Sequence, residues 1–281
     1  MHPHTLGIIG LGAVGGSIAC RAARAGVARI VGWAHSTKDG AAAARAGVVS
    51  EIAHDLQGVA RVADLIVLAT PPTATLGLLQ ELAQPLRCRK VYCTDVMRVK
   101  APIVRLADRL DLQSCFAGSH PLLDLSGSGF GAAAPDALES ALVYVTPLPG
   151  GDEAGAEVAD FWHRVIGAAP VTLSAERHDE LLAWTGQLPR AVASALARVL
   201  AEWGPDGVTY GRGALEQTRL APENRAAWAD LFLMAREGLL EALDAMEQSL
   251  DELRVALSDG DRAALVRWLE KGAGWRGRFE P

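Results

Sequence analysis

Half of the 281 residues are hydrophobic and 21% are charged, a balance that excludes a disordered or fibrous chain and leaves room for two globular domains. The net charge of −6 argues against a nucleic-acid-binding surface, so an anionic ligand has to be held by local rather than overall charge. Four cysteines without paired metal spacing read as small core residues in a reducing compartment. With no signal peptide and no apolar run near 18 residues, a cytoplasmic protein is expected.

In chain order, the apolar run Leu6–Gly10 reads as a buried strand. It leads into Gly10-Leu11-Gly12-Ala13-Val14-Gly15 and then a helical stretch, Ser17–Ala25. Strand, glycine turn and helix are the context in which a Gly-x-Gly-x-x-Gly spacing binds a dinucleotide. Gly10 permits the turn, Gly12 admits a pyrophosphate against the backbone, and Gly15 lets the helix approach the strand. Ala13 and Val14 bring their backbone to the phosphates at the helix N-terminus. Further strands are expected at Arg29–Trp33, Leu65–Thr70, Val91–Asp95, Cys115–Ser119, Leu142–Thr146 and Pro170–Leu173. Helical stretches at 41–46, 75–85 and 101–108 lie between them. Alternation of this kind predicts a parallel-rich sheet covered on both faces, a Rossmann-type α/β domain over residues 1–174. Thr70 and Pro71 then stand where that strand ends, at the carboxyl edge where ligands bind.

Beyond Ser174 strand signals end. Long helices are expected at Ala175–Glu202 and Pro222–Leu257, with a short one at Asp261–Lys271, making residues 175–281 an all-α domain. Leu233, Leu240, Leu243, Met246, Leu250, Leu253 and Leu257 recur at helical spacing. That stripe reads either as core or as the seam of a homodimer.

The second strand ends in Ala34-His35-Ser36-Thr37-Lys38, without the carboxylate that usually bonds a ribose 2′-hydroxyl. His35, Ser36 and Thr37 suit a 2′-phosphate, which favours NADP, with NAD as the alternative. Only Lys38, Lys90, Lys100 and Lys271 are lysines, so a lysine general base is nearly unavailable.

Four later segments, with the glycine turn, resemble the prephenate/arogenate dehydrogenase family in its own order. Thr94-Asp95-Val96-Met97-Arg98-Val99-Lys100 is similar to its "TDVxSVK". Phe116-Ala117-Gly118-Ser119-His120-Pro121, with Gly129 and Val143–Pro147, is similar to "GxHPMAGxExxG…LTP". His178-Asp179 followed by Gly186–Arg190 is similar to "HD…SHLPH". Glu216–Ala221 with Trp228 and Phe232 is similar to "RDxTRIA…W..iF". The resemblance implies a tyrosine-pathway enzyme that transfers hydride from a cyclohexadienol to NAD(P) while the ring loses CO2. It implies His120 as acceptor of the hydroxyl proton, a role suited to a histidine. Arg219 is implied as a carboxylate clamp. Arg98, Ser119, Ser126, Gln187 and Arg190 join Arg219 as candidate substrate contacts.

The chain departs from the family's pattern at several of these points. The serine of "TDVxSVK" is Arg98, the acid six residues after the histidine is Ser126, and "SHLPH" has become Gly186-Gln187-Leu188-Pro189-Arg190. Loss of the second histidine and the acid points toward arogenate. The charges of Arg98 and Arg190 point toward prephenate, and the choice stays open, as does a modified substrate such as 4-amino-4-deoxyprephenate. Loss of the serine also removes a partner for the imidazole of His120. Two other readings compete: a β-hydroxyacid dehydrogenase, disfavoured because no lysine lies between Lys100 and Lys271, and a non-catalytic NADP-binding protein.

Overall fold

The computed structural model describes residues 2–123, 125, 127–204, 211–221 and 225–279. Five parallel strands form the first sheet: β1 (Thr5–Ile9), β2 (Arg29–Trp33), β3 (Glu51–Ile52), β4 (Leu65–Leu68) and β5 (Tyr92–Asp95). Their order is β3-β2-β1-β4-β5. All of β1 and β4 is buried because helices cover both faces. Successive residues serve opposite sides: Ile66 and Leu68 enter one apolar cluster with Leu79, Leu82 and Ile103, while Leu65 and Val67 enter another with Ile18, Ile30 and Trp162.

The connecting helices are α1 (Ala13–Arg24), α2 (Thr37–Arg45), α3 (Leu56–Val62), α4 (Pro72–Arg89) and α5 (Ala101–Arg109). Helix α1 starts directly after Gly12, four residues earlier than expected, so the glycine turn is itself the helix entrance. The strand order reverses between β1 and β4. The loops after these two strands therefore stand at the switch point where open α/β sheets bind ligands.

A second sheet holds β6 (Ala117–Pro121), β7 (Leu142–Pro147) and β8 (Ala169–Thr172), with β6 antiparallel and β8 parallel to β7. Helix α6 (Asp152–Asp160) and a π-helical segment, Phe161–Ile166, precede β8. β6 begins two residues later than expected. The Leu112 carbonyl accepts both the Cys115 and Phe116 amides, which holds those residues in a turn, and pairing with β7 runs from Ala117 to Pro121. His120 therefore lies inside a strand rather than past its end.

The chain divides into two compact units, Met1–Leu182 with Glu223–Met234, and Ala183–Pro222 with Ala235–Pro281. Helices α7 (Ala175–Leu182) and α10 (Arg225–Met234) belong to the first unit. The second contains α8 (Leu188–Trp203), α9 (Arg212–Thr218), α11 (Arg236–Ser258) and α12 (Arg262–Arg276). The single helix expected over Ala175–Glu202 is thus two, separated by a π-turn at Ala183–Gln187. The one expected over Pro222–Leu257 divides at Ala235, whose backbone leaves the helical region. In the second unit Leu239, Ala242 and Ala256 are buried, whereas Val199, Trp203, Leu240, Leu250 and Leu257 are exposed. No helix among the described residues is long and apolar enough to cross a membrane. Of the four cysteines, Cys93 and Cys115 are core residues as expected, but Cys88 is exposed.

Candidate active site

The turn after β1 is fixed by two steric limits. Gly10 has φ +100°, and a Cβ there would meet the Ala69 carbonyl oxygen at 2.4 Å. A Cβ on Gly15 would lie 1.8 Å from the Gly10 carbonyl oxygen. Gly12 differs: nothing stands within 4 Å of its would-be Cβ, so the space beside it is open. The first turn of α1, which includes Ala13, Val14 and Gly15, carries no acidic residue, and no side chain caps it. Its leading N–H groups lack intrahelical acceptors by geometry. Open space and outward donors at a positive helix end fit a diphosphate.

Thr70 and Pro71 border this turn, the Thr70 methyl standing 2.9 Å from where a Gly10 Cβ would be. The Thr70 hydroxyl pairs with that of Thr75 at 2.8 Å, and Thr75 also donates to the Thr70 and Pro71 carbonyls, locking the loop after β4. After β2, His35, Ser36 and Thr37 are all exposed. Ser36 caps α2, its hydroxyl accepting from the Asp39 amide at 3.2 Å. Asp39 is a carboxylate that the reading of the strand end overlooked. It stands in the first turn of α2, and its Oδ1 accepts from the Phe130 amide at 2.9 Å.

His120 is 4% exposed on β6. Its Nδ1 lies 2.9 Å from Nε2 of His178 on α7. Nδ1 of His178 lies 2.7 Å from Oδ1 of Asp179. Asp179 is anchored in turn, its two oxygens accepting from the Lys100 amide at 2.7 Å and the Ala101 amide at 2.8 Å at the start of α5. The imidazoles meet edge to face with centroids 5.1 Å apart, and Tyr144 packs on His178 in the same manner. Burial pushes the His120 pKa well below the usual 6.5, and the charges of His178, Lys100 and Arg98 push it the same way. Burial also lowers His178, against the upward pull of Asp179.

Beneath this line lies a second polar cluster. The Lys100 ammonium, wholly buried, donates to Asp95 Oδ2 and, at 2.7 Å, to the Ser119 carbonyl. The Asp95 carboxylate also accepts from the Met97 and Ser119 amides. Gly118 makes the room, since a Cβ there would press on Thr146 Oγ1 at 2.6 Å and on Asp95 and Lys100 at 3.3 Å. Ser119 is a correction to the expected substrate contacts. Strand alternation turns its hydroxyl away from His120 into the core, where it meets Thr94 and accepts from Trp162 Nε1 at 2.8 Å.

Arg98 is exposed, donates to the Leu123 carbonyl at 3.3 Å and stacks over the Trp228 ring at 5.3 Å. In the second unit Arg190 donates to the Leu220 carbonyl at 2.9 Å, which brings it beside Arg219 at the end of α9. Arg219 is exposed. Gln187 is buried, and its Oε1 has no hydrogen-bond partner among the described residues. Ser126 lies outside the described residues. The sequence reading assigned no role to Asp179 or to the Lys100–Asp95 pair. The adjacency of His178 and Asp179, and an acid five residues before a lysine, were the signals.

Known proteins resemble this chain over most of its length. Residues 18–171 match the prephenate dehydrogenase nucleotide-binding domain, and residues 174–271 match the prephenate dehydrogenase dimerization domain. The chain is 30% identical to a cyclohexadienyl dehydrogenase of Zymomonas mobilis, over 91% of this chain and 90% of that protein. It is 28% identical to a prephenate dehydrogenase of Bacillus subtilis, over 97% of this chain and 75% of that one. The crystal structure of prephenate dehydrogenase from A. aeolicus with hydroxyphenyl propionate and NAD+ superimposes with a TM-score of 0.87 at 25% identity, covering 98% of each chain. The glycine turn, the two sheets, the helical region and these likenesses together make the chain a member of the prephenate dehydrogenase family of NAD(P)-dependent oxidoreductases.

Proposed function

We propose that the protein catalyses the NADP-dependent oxidative decarboxylation of arogenate or prephenate, acting as a homodimer. The observation that carries the reading is a buried histidine, held neutral, in the same unit as a glycine turn open to a diphosphate. A dinucleotide held by its diphosphate at that turn would supply its nicotinamide as the hydride acceptor. The residues that would hold the dinucleotide are Gly10, Gly12, Ala13, Val14 and Gly15, with Thr70 and Pro71 beside them. His35, Ser36 and Thr37 would take the 2′-phosphate. Asp39 stands close by in sequence, its Oδ1 accepting from the Phe130 amide.

Loss of hydride from the alcohol carbon makes the hydroxyl acidic, and a neutral imidazole accepts its proton. His120 is assigned that role. Arg219 is assigned to a substrate carboxylate, where a guanidinium gives two parallel donors. Arg190, Arg98 and Gln187 remain candidate contacts to the substrate. The exposed Val199, Trp203, Leu240, Leu250 and Leu257 of the second unit support self-association through α8 and α11.

The test is absorbance at 340 nm with NADP or NAD against prephenate, arogenate and the 4-amino analogue of prephenate. The expected result is turnover with arogenate or prephenate and a lower KM for NADP than for NAD. No turnover with any pair overturns the enzyme reading. Turnover with the amino analogue alone reassigns the substrate. Light scattering should give a mass of two chains.

A further inference from the structure

The serine that the family resemblance leads one to expect near His120 is Arg98, yet the imidazole is not without a partner. Hydrogen-bond chemistry along the line from Asp179 fixes the proton positions. Asp179 accepts two backbone N–H bonds at the start of α5, one on each carboxyl oxygen, so both oxygens act as acceptors. The His178 Nδ1 that faces it at 2.7 Å must donate. A neutral His178 then offers only a lone pair at Nε2, so the His120 Nδ1 that faces it at 2.9 Å must also donate. The remaining ring nitrogen of His120, Nε2, is left as an acceptor.

We infer that Asp179 and His178 are positioning residues that lock His120 in its Nδ1–H tautomer and so reserve Nε2 for the substrate's proton. This rests on the reaction proposed above. In that step the substrate O–H bond breaks, an N–H bond forms at Nε2, and His120 becomes cationic. The positive charge is then stabilised through the Nδ1–H bond to His178 and, behind it, the Asp179 carboxylate. The logic is that of an orienting carboxylate in a hydrolase triad, carried over one extra imidazole. Other groups facing the line are the Tyr144 ring edge from β7, Lys100 and Asp95 beneath it, and Arg98.

Two measurements test this. The first needs no substrate: long-range ¹H–¹⁵N correlation on the histidine-labelled full chain at neutral pH. The expected spectrum shows His120 protonated at Nδ1 and bare at Nε2, and the reverse pattern overturns the inference. The second is kinetic. His178→Leu removes the acceptor and should lower kcat about 10²-fold, with the dissociation constant for NADP unchanged. His178→Gln restores an acceptor carbonyl and should recover most of that loss. His178→Leu with wild-type kcat, or His178→Gln no better than His178→Leu, overturns the inference. If His178→Leu fails to fold, the wild-type spectrum and His178→Gln decide. An Nδ1–H spectrum in a protein that oxidises none of the three cyclohexadienes supports the relay and sinks the proposed reaction instead.

Discussion

The turn after β1 and the imidazole line on β6 do their work in opposite ways. The first is made almost wholly of backbone, and its shape comes from atoms that are missing: a Cβ at Gly10 or Gly15 would overlap a carbonyl oxygen. The second is a line of side chains from β6 and α7, anchored on two backbone amides at the start of α5, and each member fixes its neighbour's orientation. A backbone site is written in one short stretch of sequence. A side-chain site is assembled from residues 58 apart, as His120 and His178 are, and acquires meaning only once the fold has brought them together.

Substitutions can break the contrast, and the largest effect falls on the side-chain site. His120→Asn should cost on the order of 10²–10⁴-fold in kcat while NADP affinity, measured by fluorescence titration, stays unchanged. Full kcat would remove His120 from the chemistry. Gly15→Ala should show the converse, a destabilisation of about 3 kcal/mol from the overlap with Gly10, read as a lower urea midpoint together with lost NADP binding. An unchanged midpoint would mean that the turn is plastic. Arg219→Ala should raise KM by about tenfold, the loss of one charge-assisted contact, with a smaller change in kcat. Gly12→Ala, where the added methyl meets no protein atom, should leave thermal stability alone and weaken NADP several-fold. A drop in melting temperature there would show that Gly12 is needed by the fold and not by the ligand.

The smallest effect is one of pH. Burial keeps His120 neutral far below the ordinary 6.5. The neutral form is the base, so kcat/KM should hold its plateau as pH falls through 6.5 and decline only below it. Stability behaves differently. In the unfolded chain His120 takes up a proton near 6.5, whereas in the folded chain it does so only at lower pH. The unfolded state therefore binds more protons in that window, and its contribution to stability is lost as pH falls below about 6.5. Denaturant midpoints at pH 7.5 and 5.5 should separate in that direction for wild type and less for His120→Asn.

Much of the first sheet was legible because buried parallel strands are unbroken apolar runs, and Arg29–Trp33 was found residue for residue. Edges were less legible. Cys115 and Phe116 look like strand residues, yet a turn carbonyl consumes both amides, and that shift of two residues moved His120 from a loop into β6. Ser119 stands next to His120 in sequence, but a strand sends adjacent side chains to opposite sides, and its hydroxyl bonds Trp162 in the core instead. The long helical stretches hid their breaks: helical periodicity continues across the π-turn at Ala183–Gln187 and across Ala235. Asp179 and the Lys100–Asp95 pair could be seen as motif letters, but their roles depend on which backbone amides they meet.

The Lys100–Asp95 pair has a practical consequence. Lys38, Lys90 and Lys271 stand on the surface, whereas the fourth lysine of the chain shows no surface at all. An amine-acylating reagent applied to the native protein should therefore label three lysines within minutes and leave the fourth untouched. Its slow labelling, followed by peptide mass spectrometry, becomes a clock for opening of the first unit, and reads the rate of that event without any probe being engineered into the molecule.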